Sequence, residues 1–176
     1  MERSAFSPKN RYDRKAGTYM VPSSPQQVRI FPHSRKEFPS EEALTTWLLN
    51  GLRSRGGVYH LRDADRVADL PPGSIILFRY NDHIVGEAVV WKEKVKLDPK
   101  EKDRMISGEE AEYGAQVTFA PSSIRLYAPP LRLKEDLQPL VENKDLVTFA
   151  GAYVQLDWSI YARVLEAVVS RGTFMS

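Results

Sequence analysis

Residues 70–91 constrain the fold of this chain more than any other stretch. Two apolar runs, Ser74-Ile75-Ile76-Leu77-Phe78 and Ile84-Val85-Gly86-Glu87-Ala88-Val89-Val90-Trp91, flank the polar residues Asn81-Asp82-His83. Runs rich in β-branched and aromatic residues on either side of a short turn predict a β-hairpin. Pro71-Pro72-Gly73 marks the loop that opens the first strand. Gly86, inside the second run, predicts a bulge or a close backbone approach. The hairpin is the expected spine of a small curved sheet or barrel.

The rest of the chain adds short elements to that spine. Residues 28–31 form a strand candidate closed by Pro32. Ser40 is an N-cap followed by Glu41 and Glu42, whose charge suits the positive end of a helix. Leu44, Trp47, Leu48 and Leu52 follow at helical spacing, and Gly56-Gly57 ends the helix. Residues 58–61, 115–119, 123–127 and 152–156 are further strand candidates, with Pro129-Pro130 stopping the third of these. Residues 63–69 read as one helical turn, residues 98–114 as a charged surface loop and residues 133–141 as a short helix. Asp157 caps a last helix with Tyr161, Val164, Leu165, Val168 and Val169 on one apolar stripe, ended by Gly172. Several short strands with a helix near each end predict an α+β domain built on a mainly antiparallel barrel or strongly bent sheet.

At 176 residues the chain is long enough for one domain with a real core. Residues 1–25, rich in Ser, Pro and basic side chains without periodicity, read as a flexible basic tail, and residues 26–172 as the single domain. The chain has no cysteine, which excludes disulfides and thiolate metal sites. No apolar run is long enough to span a bilayer and no secretory leader is visible, so a cytoplasmic protein without membrane contact is expected.

His33, His60 and His83 are scattered, without metal-ligand spacing, and no phosphate-binding glycine loop or nucleophile elbow occurs. No metal, cofactor or catalytic residue is therefore assigned. Asp82, Asp98 and Lys100 could be drawn as a nuclease site, but Pro99 interrupts the strand needed to present them, and Asp82 suits a turn. Glu87 lies in an apolar strand. Facing inward it would need a partner; beside a glycine bulge it is expected to turn to solvent.

The basic residues are better evidence. The net charge is only +2, so distribution matters more than the total. Beyond the hairpin, period two places Trp91, Val95 and Leu97 on one strand face and Lys92, Lys94 and Lys96 on the other. Such a lysine ladder either protects an edge or grips a polyanion. With Arg53, Arg55 and Arg125 these lysines are the candidate phosphate contacts. Tyr80, Trp91, Tyr153 and Trp158, near strand ends or beside polar residues, are the candidate walls of an aromatic base pocket.

These residues carry a resemblance. The run Pro72-Gly73-Ser74-Ile75-Ile76-Leu77-Phe78, a turn, then Ile84-Val85-Gly86-Glu87-Ala88-Val89 is similar to the strand pair of the PUA-like superfamily, which includes the EVE, YTH, ASCH and SRA-type domains. Residues 119–130 resemble a piece of EVE-like modules joined to restriction endonucleases. The resemblance implies a PUA-like, mainly antiparallel β-barrel with flanking helices. It also implies a nucleic-acid-binding module that reads a modified base, N6-methyladenine or a modified cytosine; DNA is the expected carrier, with RNA as the alternative. A nuclease or NTPase domain or subunit is the implied partner. Alternatives are a small ASCH-like hydrolase using Glu87 or Lys92, and a protein-interaction domain.

Overall fold

The computed structural model describes residues 11–13, 18–20, 26–61, 69–97, 114–140 and 153–175. Strands β1 (Arg11–Asp13) and β2 (Thr18–Met20) pair antiparallel as a separate ribbon within the stretch read as a tail. The main sheet has eight strands: β3 (Val28–His33), β4 (Val58–Leu61), β5 (Ile75–Tyr80), β6 (His83–Lys96), β7 (Ala115–Phe119), β8 (Arg125–Arg132), β9 (Gln155–Leu156) and β10 (Thr173–Met175). Helix α1 (Glu41–Thr46) continues into a wider helical segment, Trp47–Leu52, and α2 spans Trp158–Arg171. The turn expected at residues 63–69 and the loop at residues 98–114 fall almost entirely outside the described residues.

The hairpin is β5 and β6, joined by Asn81 and Asp82. Asn81 has φ 52°, a left-handed conformation that asparagine tolerates. Phe78 faces Gly86 and Arg79 faces Ile84, so Val85 is the extra residue of a bulge. A Cβ added at Gly86 would lie 2.3 Å from the Arg125 carbonyl oxygen. Both consequences expected of this glycine are present.

The strand path is β10-β8-β6-β5-β3-β9, with β7 pairing both β6 and β4 off the path. The expected closed barrel is not formed. Closure would join β9 to β10, which are two and three residues long and do not pair with each other among the described residues. β6 instead runs between β5 and β8 in its first half and along β7 in its second, which bends the sheet without closing it. Most pairs are antiparallel; β3 and β5 are parallel, because the chain returns through α1 and β4 before β5 begins.

Side-chain period sorts β5 between two cores. Ile76, Phe78 and Tyr80 join Leu44, Leu48 and Leu52 under α1. Leu77 joins Ile30, Val164 and Val168 under α2. Helix α1 starts as expected, with Ser40 Oγ accepting from Ala43 N at 3.1 Å, and Gly57 N closes its far end on Leu52 O at 2.9 Å. Val169 leaves the expected stripe and is 69% exposed, because the sheet reaches only the arc of Tyr161, Val164 and Val168. The proline pair does not stop β8. Residues 126–128 pair with β10, and 125, 126, 131 and 132 pair with β6, so Pro129 and Pro130 sit where neither ladder needs an N–H.

Glu87 is the largest departure from expectation. It is 1% exposed rather than turned to solvent. Its Oε1 accepts from Arg125 Nη2, and its Oε2 accepts from the Tyr127 hydroxyl at 2.7 Å and the Tyr161 hydroxyl at 2.9 Å. Burial, then the adjacent carboxylate, pushes both phenols above their ordinary range, so both remain donors. The Arg125 guanidinium also lies 4.5 Å from the Phe174 ring centroid. One carboxylate thus ties β6, β8 and α2 together. Replacing Glu87 with Leu leaves the Tyr127 and Tyr161 hydroxyls without their acceptor and should cost about 2–4 kcal/mol in urea unfolding. Tyr161→Phe removes one donor and should cost about 1–2 kcal/mol.

Candidate functional site

The residues best placed to meet a ligand are a chain of rings beside α1. Phe31 sits 5.5 Å from Tyr59 and 5.0 Å, edge-on, from Tyr153. Trp47 lies 5.3 Å from Phe38 and 6.0 Å from Tyr59. Phe31 and Tyr59 are buried, whereas Phe38, Trp47 and Tyr153 are half-buried and form the rim. The result is a buried aromatic core with three half-buried rings packed against it.

Local sequence explains each position. Phe38 precedes Pro39 and the Ser40 cap, so it is presented where the chain turns into α1. Trp47 begins the widened helical segment, and its ring lies across Gly51 one turn on: a Cβ there would come within 2.7 Å of Trp47 Cδ1. Arg29 fixes the Tyr153 backbone, with Nη1 donating to Tyr153 O at 3.0 Å, Nη2 to Gln155 Oε1 at 3.2 Å and Nε to Gln27 Oε1 at 2.7 Å. Tyr59 lies on β4, opposite Val117 on β7.

One polar contact sits within this apolar nest. The Tyr59 hydroxyl and His33 Nε2 are 2.9 Å apart. Burial pushes the His33 imidazole down to about 4, against a smaller opposing effect of the Arg79 and Phe31 backbone. The ring is therefore neutral at physiological pH, and the imidazole adds no charge to the cluster. Such a surface suits a flat, uncharged ring or a methyl group better than a cation-seeking anion.

The structure brings two of the sequence-predicted pocket residues to this cluster and leaves two outside it. Tyr153 is at the rim; Tyr80 is buried alongside, its hydroxyl donating to Phe38 O at 3.1 Å. Trp158 starts α2, donates to Gln26 O at 3.3 Å and packs edge-on to Tyr161. Trp91 lies out on β6, 58% exposed. Phe38, Trp47, Tyr59 and His33 were not singled out from sequence. Trp47 shares the helical spacing of the buried Leu44, Leu48 and Leu52; the signal for its different place is Gly51, a glycine four residues after a tryptophan inside an apolar helix.

The cations are also dispersed. Arg53 Nη2 donates to Ile124 O at 2.5 Å, bridging the first helix to the β7–β8 corner. Arg125 is engaged with Glu87. Arg55 is exposed. The lysines do not form a single-faced ladder. Directly opposed residues share a face, and Lys92 opposes Thr118 while Lys96 opposes Ala115. Thr118 and Ala115 are three residues apart on β7 and so point to opposite faces. A register shift between Lys92 and Val95 causes the flip. Glu87, held by three donors in the interior, is not placed to act as a general base. Among the described residues no group of three metal-ligating side chains gathers, and no helix is long and apolar enough to cross a membrane.

No protein-family model matches the sequence, and no curated protein matches it. Solved structures do. The Pho92 YTH domain in complex with m6A is similar at a TM-score of 0.50 and 12% identity, covering 90% of this chain and 93% of that one. The YTH domain of Zygosaccharomyces rouxii MRB1, in complex with N6-methyladenosine RNA, has a TM-score of 0.48 at 16% identity, over 89% and 94% of the two chains. At such identities the likeness to the Pho92 domain is one of fold: a small α+β domain.

Two measurements test this site. Gly51→Ala should force the Trp47 ring off the helix and shift its fluorescence emission, measured with Trp91 and Trp158 replaced by Phe. An unchanged spectrum would mean that the ring is not seated on Gly51. His33 is neutral when folded but accepts a proton near 6.5 when unfolded, so its contribution to stability is fully present above pH 6.5 and is lost as pH falls toward 4. The wild type should lose about 3 kcal/mol more than His33→Gln between pH 7 and pH 4 in urea titrations.

Proposed function

We propose that this chain is a binding module that reads a modified nucleic-acid base, with N6-methyladenine as the first candidate. The observation that carries the reading is the half-buried ring cluster of Phe38, Trp47 and Tyr153 against Phe31 and Tyr59. A base turned out of its strand would stack on the rim. Stacking contributes about 1–3 kcal/mol per base, and moving one methyl group from water to an apolar wall adds about 0.8 kcal/mol. The imidazole packed among these rings is neutral and adds no charge that would favour an ion over a neutral base.

The fold shared with the Pho92 YTH domain, whose structure holds m6A, supports N6-methyladenine over a modified cytosine. The carrier strand as DNA and a nuclease or NTPase partner rest on the resemblance to EVE-like modules of restriction systems and belong to the same proposal. Arg55 is an exposed cation that would help hold the sugar-phosphate strand, so affinity should fall with salt.

The test is a titration with nine-nucleotide RNA and DNA strands, each carrying one central adenine or N6-methyladenine. The methylated strand should bind about tenfold tighter or more in at least one of the two chemistries. Trp47→Ala and, separately, Tyr153→Leu should abolish that preference in protein that still unfolds cooperatively. Equal affinity for methylated and unmodified strands in both chemistries would overturn the reading.

A further inference from the structure

We infer that the second half of β6 is a second contact site for the single-stranded nucleic acid that carries the base, on the opposite face of the β4–β7–β6 unit from the ring cluster. This inference rests on the reading proposed above and adds a site to it. Beyond Val90 the strand leaves the cores. Trp91 is 58% exposed and Val95 52% exposed, two large apolar side chains on one strand segment that carries three lysines.

The register defines what surrounds them. Lys92 opposes Thr118, which opposes Val58; Val95 opposes Gln116, which opposes His60. These six side chains share the outer face of the three-stranded β4–β7–β6 unit, while Tyr59, Val117 and Phe119 point inward to the core. The face therefore combines a cation, a hydroxyl, an amide and apolar surface, and the exposed Trp91 immediately precedes it along β6. That is the composition a single strand needs: a flat ring for a base, polar groups for sugar and base edges, and positive charge for phosphate.

The net positive charge of this segment points to a polyanion as the occupant. From residue 92 to residue 96 the strand carries three lysines against Glu93 alone. Lys94 and Lys96 already interact within the protein, so Lys92 is the side chain assigned to phosphate. From Trp91 to Lys96 the arm extends roughly 17 Å at ~3.3 Å per residue, long enough to track several phosphates. Trp91 thus acts outside the base pocket, as a stacking surface for a neighbouring nucleotide.

The experiment compares two probes on the full chain: N6-methyladenosine as a free nucleoside, and the nine-nucleotide strand carrying one central N6-methyladenine, each at two salt concentrations. The nucleoside reads the ring cluster alone. Trp91→Ala should weaken the nine-nucleotide strand about tenfold. Lys92→Gln should lower its salt slope by about 0.7. Neither should change nucleoside affinity or the urea midpoint, since both side chains are exposed. If the nucleoside binds and neither substitution moves the strand, the second site is refuted and the base-reading proposal stands. If the nucleoside fails to bind but the strand binds in a Trp91-dependent way, the second site stands and base reading falls. If Trp91→Ala abolishes self-association of the chain and leaves strand affinity intact, the face is a protein contact and the inference is overturned.

Discussion

The structure depends on one buried carboxylate. An ionised Glu87 could not remain in an apolar interior alone, because its desolvation would cost more than its strand neighbours return. It is held by a guanidinium and two phenols supplied by β8 and α2. The same requirement fixes how those elements sit. Glu87 opposes Arg125 directly in the ladder, and the bare Gly86 lets the β8 backbone come close enough for Arg125 and Tyr127 to reach it. Helix α2 then docks with Tyr161 aimed at the same oxygen as Tyr127.

From that anchor the roles of β6 divide. Its first half, between β5 and β8, is packed on both faces and carries the network. Its second half leaves those neighbours for β7, and β7 carries β4. The division brings Tyr59 and Phe119 over the core beneath α1, where they meet Phe31 and Phe78. It also turns the opposite face of the same three strands outward. Through β7, one long strand thus backs the core beneath the ring cluster and carries the exposed arm on the opposite face. The two regions differ in chemistry: the cluster is apolar with a neutral imidazole packed among its rings, and the arm is cationic with an exposed indole.

The cluster was only partly legible from sequence. Aromatic residues were abundant, but a strand or helix pattern says which face a ring occupies and not whether a second element covers it. Trp47 shows the difficulty. Its spacing with Leu44, Leu48 and Leu52 describes a buried stripe, yet the widened helical segment and Gly51 leave its indole at the rim. The arginines show the converse. Arg53 and Arg125 looked like surface cations and are engaged by Ile124 O and Glu87.

Local chemistry determined a good deal by itself. The hairpin, its Asn-Asp turn, the irregularity at Gly86, the Ser40 cap and the extent of β7 all follow from backbone preferences and side-chain period acting over a few residues. The tertiary structure alone decided the rest. Sheet closure depends on whether two short edge strands meet. The inward turn of Glu87 depends on donors 38, 40 and 74 residues away. The broken lysine face depends on a register shift against β7, whose partner residues lie across a loop. Period-two alternation holds only while pairing is regular, and a buried charge is stable only where distant donors converge, so neither outcome is contained in any local stretch of the chain.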